Sequence, residues 1–134
     1  MTFEMMQLPE EPTIVAPDGS DVRVLLQRAG GSIAHFELAT ERASTAIAHR
    51  TVEEIWFFLE GRGEMWRRLG GHEETVEVGP GTCVTIPVGT SFQFRAGDGG
   101  PLSAIGVTMP PWPGMDEADL VEGVWPASER LAQS

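Results

Sequence analysis

The run His49-Arg50-Thr51-Val52-Glu53-Glu54-Ile55-Trp56-Phe57-Phe58-Leu59-Glu60-Gly61 decides how the rest of the chain is read. From Glu54 onward, alternate residues divide into two sets: Glu54, Trp56 and Phe58 on one side, Ile55, Phe57 and Leu59 on the other. That period of two is the signature of a β-strand, here ended by a glycine. Both sides are apolar, so the second needs cover as well, from packing within a sandwich or from another copy of the chain.

Working outward, the 16 glycines and 10 prolines break the sequence into short segments rich in Val, Ile, Thr, Phe and Trp. Such segments suit strands. Nine are expected: Asp21 to Gln27, Ser32 to Ala39, Ser44 to His49, Ile55 to Glu60, Gly63 to Leu69, Thr75 to Val78, Thr82 to Ile86, Ser91 to Arg95 and Leu102 to Thr108. Long helical periodicity is absent, so the class is all-β, a sandwich or a barrel. In Ser32 to Ala39, either the side with Ile33, His35 and Glu37 or the side with Ala34, Phe36 and Leu38 faces inward. Beyond Thr108 the pattern changes: prolines bracket Trp112, and Asp116 is placed to cap one or two helical turns ending at Gly123. The expected organisation is one domain over 1–134, with its core at about 21–108, an N-terminal arm over 1–20 and a Pro/Trp-rich tail over 109–134.

A second run, Gly81-Thr82-Cys83-Val84-Thr85-Ile86-Pro87-Val88-Gly89-Thr90-Ser91-Phe92-Gln93-Phe94-Arg95, completes the pattern. The first run resembles motif 1 of the cupin superfamily, in which His-x-His is followed by Glu and, six residues later, by Gly; Glu54 and Gly61 keep that spacing. The second resembles cupin motif 2, with Gly81, Pro87 and Gly89 in place, and residues 62–80 between the motifs suit two strands. The resemblance implies a jelly-roll, or double-stranded β-helix, barrel. It also marks departures: Ile47 replaces the first motif 1 His, Phe92 the motif 2 His, and Glu41 the opening glycine, leaving His49 and Glu54 of the usual ligands.

The resemblance also implies that Ile47, His49, Glu54, Trp56, Phe58, Phe92 and Phe94 face the barrel interior, a largely apolar lining with few polar groups. A catalytic divalent metal usually needs three protein ligands, so a metal-poor cavity is expected. If Fe, Mn, Ni or Zn is held, His49 and Glu54 are its ligands, completed by His35, Gln93 or Thr51 after a slip in register. Without metal, His49 and Glu54 are either an acid–base dyad, the carboxylate raising the imidazole pKa, or former ligands satisfied by a buried hydrogen bond. Among the arginines, Arg62, Arg67, Arg68 and Arg95, solvated pairing with Glu is the ordinary role; Arg95 flanks the motif 2 strand and is the candidate to touch a ligand. Trp112 and Trp125 pack in the tail or cover the barrel mouth, and Cys83 is expected buried and inert.

Composition narrows the partners. A net charge of −11 argues against a nucleic-acid-binding surface, and no run is long and apolar enough for a membrane span. One cysteine and no signal-like N-terminus point to the cytosol. The expected partner is a small, partly apolar organic molecule in the barrel, with a homodimer formed through Ile55, Phe57 and Leu59. The alternatives are a metal-dependent isomerase, epimerase or dioxygenase, and a structural or regulatory module whose barrel is filled by its own side chains.

Overall fold

The computed structural model describes residues 2–127. The strands are β1 (Ile14–Val15), β2 (Asp21–Arg28), β3 (Gly31–Leu38), β4 (Ile47–His49), β5 (Glu53–Glu60), β6 (Gly63–Leu69), β7 (His72–Val78), β8 (Cys83–Ile86), β9 (Ser91–Ala96), β10 (Leu102–Met109) and β11 (Ala118–Leu120). They form two antiparallel sheets, one of six strands in the order β1-β2-β3-β10-β5-β8 and one of five in the order β11-β4-β9-β6-β7. This is the all-β jelly-roll barrel that the sequence implies.

Alternation along β5 follows the expected pattern. Glu54, Trp56 and Phe58 are buried, whereas Ile55, Phe57 and Leu59 are 42%, 46% and 38% exposed. The same rule settles β3, where Ala34 and Phe36 face the interior cavity. Trp56 is the hub of the core: it stacks on Phe36 at 4.6 Å between ring centroids and meets Phe94 edge-on at 5.1 Å. Full burial of such rings stabilises the fold by about 1.5–3 kcal/mol each.

Two glycines make this packing possible. Gly61 turns the chain out of β5 at φ 81°, and a side chain there would overlap the Pro101 carbonyl. Gly106 lies between β3 and β5 in the sheet, and a Cβ there would stand 2.6 Å from the Phe36 ring and 3.0 Å from Trp56. At the position where the resembled motif has its opening glycine, Glu41 keeps a left-handed backbone, φ 62°. Its N–H donates to the Gly97 carbonyl at 3.0 Å, and the Arg42 carbonyl accepts from Ala96 N–H at 2.9 Å.

Several expectations need correction. Strand Ser44 to His49 is shortened to Ile47–His49, because Ser44 spends its hydroxyl on Phe94 N–H and its carbonyl on the Gln93 amide. β7 begins at His72 rather than Thr75, since Gly70-Gly71 makes a tight hairpin that pairs Leu69 with His72. The expected helical turns after Asp116 reduce to one 3-10 turn, Met115–Glu117, whose N-cap is Gly114 without a side-chain cap. Pairing of Ala118 with His49 draws the following residues into β11, and strand hydrogen bonds replace helical ones. Cys83 is exposed, because alternation turns Val84 and Ile86 inward and Cys83 outward.

Replacing Gly106 by alanine is expected to destabilise the protein by roughly 1–3 kcal/mol through overpacking against Phe36 and Trp56. Urea denaturation of Gly106→Ala measures it, with a changed near-ultraviolet signal from the Phe36–Trp56 stack.

Candidate functional site

Glu54 enters the barrel one residue into β5 and is 3% exposed. Its Oε1 accepts a hydrogen bond from Trp56 Nε1 at 3.0 Å, and its Oε2 one from the Thr108 hydroxyl at 2.5 Å. Burial pushes its pKa up to about 7, against the pull of the Thr108 and Trp56 hydrogen bonds and with help from the charges of Asp18 and Glu117.

His49, on the facing sheet, is 5% exposed, and its Nδ1 lies 3.8 Å from Glu54 Oε1, beyond hydrogen-bond reach. That nitrogen is buried without a hydrogen-bond partner. The ring meets Phe92 and Trp112 edge-on, each at 5.3 Å. Burial lowers the imidazole pKa to about 4, the Glu117 charge opposing weakly. The expected upward shift of His49 is therefore overturned: Glu54 holds its own proton to near neutrality, so it supplies little charge to an imidazolium.

The pair opens on a cavity of about 130 Å³. Ile47, Trp56 and Trp112 line it, joined by Phe36, Ala34, Val22 and Val24, with Asp18, Gln27, Ser32 and Thr108 as further polar groups. Trp112 is fixed there by its backbone N–H, which donates to Ser32 Oγ at 3.0 Å. Phe58, Phe92 and Phe94 are fully buried and do not line the cavity; they form the core beneath it. Arg95 is also elsewhere, because its guanidinium is bonded to Glu64 at 2.6 and 2.9 Å and stacked on Trp125 at 4.3 Å.

Two acids near the pair were not singled out in the sequence. Asp18 belongs to the Pro17-Asp18-Gly19-Ser20 turn between β1 and β2, and its Oδ1 accepts from Ser20 N–H at 2.9 Å and Ser20 Oγ at 2.6 Å. Burial raises its pKa, outweighing those bonds. Glu117 accepts from Thr51 N–H at 2.6 Å, Val52 N–H at 2.9 Å and the Thr51 hydroxyl at 2.7 Å. Burial pushes its pKa up, but these bonds together hold it below the usual carboxylate range. A Pro-Asp-Gly turn signal was legible at 17–19; the inward aim of its carboxyl depends on how β1 folds over β2, which local pattern does not encode.

The residues present do not fit a metal. Among the described residues, no group of three or more His, Cys, Asp or Glu could hold one. His35 lies against Leu8, Leu26 and Leu59 on the outer side of the six-stranded sheet. Both ends of the Gln93 amide are engaged: Nε2 donates to the Ser44 and Trp125 carbonyls, and Oε1 accepts from Val124 and Trp125 N–H. Thr51 is bonded to Glu117. What remains is a neutral imidazole beside a carboxyl that keeps its proton, protonation states suited to a proton acceptor and a proton donor near pH 6.

A double-stranded β-helix with a His and a Glu on the inner faces of its two sheets defines a class of barrel proteins. A cupin-domain family profile matches residues 34–108, and the chain belongs to the cupin family. No curated protein sequence matches it. Among solved structures, a variant of Streptomyces Pac13 with uridine is similar at 17% identity, with a TM-score of 0.71 over 93% of this chain and 95% of that one. Pac13 is described as a nucleoside dehydratase. The capsular polysaccharide assembling protein CapF of Staphylococcus aureus is similar at 16% identity and TM-score 0.65, over 79% of this chain, which spans only 33% of CapF. A predicted oxalate decarboxylase from Thermotoga maritima gives 16% identity and TM-score 0.64, over 78% of this chain and 99% of that one. At these identities the likeness shows the shared fold.

The two pKa shifts give stability opposite dependences on pH. Glu54 ionises near 4.5 when exposed and near 7 in the folded chain, so its contribution is whole below 4.5 and is lost as pH rises to 7. His49 goes from 6.5 to about 4, so its contribution is whole above 6.5 and is lost as pH falls to 4. In Glu54→Gln only the His49 slope of this pair remains. Relative to the parent, that variant is expected to gain on the order of 3 kcal/mol of stability between pH 4.5 and pH 7. Urea titrations across that range measure the difference, and a constant offset would mean that Glu54 titrates normally in the folded chain.

Proposed function

We propose that the chain binds a small, partly apolar organic molecule in the barrel cavity, its polar end between His49 and Glu54, without a metal. The observation that carries this reading is the unpartnered His49 Nδ1 beside the buried Glu54 carboxyl, at the edge of a cavity of about 130 Å³ walled by Phe36, Trp56 and Trp112. A dry cavity of about 150 Å³ takes benzene, so this one suits a single ring or a short chain rather than a whole nucleoside. Solved cupin-like structures with uridine in Pac13 and with the inhibitor 3-isopropenyl-tropolone in CapF support a ligand-binding use of this fold. A barrel filled by its own side chains is disfavoured by the cavity itself. A reducing, cytosolic setting suits the single exposed cysteine.

A thermal-shift screen of small metabolites tests the reading. A ligand at 100 times its Kd stabilises the protein by about 2.7 kcal/mol. The shift is expected to vanish in Ala34→Leu, which fills the cavity from β3; a shift that persists there places the ligand elsewhere.

We also propose that a second copy covers the outer side of the six-stranded sheet, where Ile55, Phe57 and Leu59 are exposed together. Sedimentation equilibrium is expected to show a dimer that Phe57→Glu converts to a monomer. A monomeric parent protein would refute the pairing.

A further inference from the structure

We propose that the molecule taken by this cavity is a small organic cation, an alkylammonium of about five to eight non-hydrogen atoms, with its head held by Glu54, Asp18 and His49. The inference rests on the cavity being a ligand site, as just argued, and adds the chemical class of the ligand.

The charge of the lining points this way. Asp18 and Glu54 both line the cavity, and no Lys or Arg does. Among the described residues no cationic side chain shares this apolar enclosure with the two carboxyls, and ionising either there without a partner is costly. An ammonium supplies that counter-charge. An anion would oppose their ionisation, and an alcohol would leave them as neutral acids.

Geometry adds a second, independent observation. His49 Nδ1 is buried and unpartnered, 3.8 Å from Glu54 Oε1. As a neutral imidazole it has an acceptor nitrogen, and one ammonium head beside the gap can donate to that nitrogen and to the carboxylate at once. The walls agree: Phe36 and Trp56 stack at 4.6 Å, Trp112 lies edge-on to His49, and aromatic faces attract cations. The protein's net charge of −11 favours the approach of a cation.

The groups around Glu54 are His49 from β4, Asp18 from the β1–β2 turn and Glu117 from the 3-10 turn, with the Thr108 hydroxyl from β10, and none of them is a permanent cation.

The test is an NMR titration of the full chain with n-butylammonium, 1-butanol and butyrate at pH 8, following the indole N–H signals of Trp56 and Trp112. The cation is expected to shift them, 1-butanol to bind at least tenfold more weakly, and butyrate not at all. Glu54→Gln is expected to weaken the cation at least tenfold while sparing 1-butanol. Asp18→Asn, outside the two sheets, is expected to weaken the cation alone and serves if Glu54→Gln does not fold. Equal affinity for 1-butanol would overturn the cation assignment and leave the cavity reading standing. No response to any of the three would overturn both.

Discussion

A carboxyl taken out of water must be bonded, neutral or compensated, and Glu54 meets that demand in a way that organises its surroundings. Its two oxygens accept from Trp56 within β5 and from Thr108 across to β10, so the polar group ties two neighbouring strands of the larger sheet. Trp56 is thereby oriented at its nitrogen, and its ring is free to stack on Phe36 and meet Phe94. The cavity floor, the core beneath it and the orientation of the pair with His49 all depend on that one anchored carboxyl. Cutting it loose would leave an acid and an indole N–H unsatisfied in the buried interior.

The barrel was legible because backbone constraints leave marks in sequence. Gly61 is needed for a turn with positive φ, and strand alternation separated Glu54, Trp56 and Phe58 from Ile55, Phe57 and Leu59, the motif resemblance marking the first set as inward. Depth was not legible. Alternation says which way Phe58, Phe92 and Phe94 point but not whether they reach a cavity or the packed floor under it, and the structure puts them in the floor. Contacts made across long stretches of chain were equally hidden: Asp18 reaches the site from a turn, and Glu117 caps the Thr51–Val52 backbone from 65 and 66 residues away. No local pattern encodes a pairing at that separation.

The departures from the family pattern have a common physical effect. With Ile47 and Phe92 in ligand positions, the interior gives up coordinating nitrogens and gains apolar surface. The two survivors respond to that surface in opposite directions, the acid holding its proton and the base refusing one. The interior thus presents an acid and an imidazole in an apolar chamber, and its chemistry is set by desolvation.

Glu41 shows a left-handed backbone held by a residue other than glycine. Its left-handed backbone is imposed from outside, by the ladder that fastens residues 41 and 42 to 96 and 97, since glutamate has no intrinsic taste for that conformation. The loop between the third and fourth strands is therefore moulded by its neighbours. Its shape is a property of the whole barrel, set by the partners at 96 and 97 whatever side chain stands at position 41.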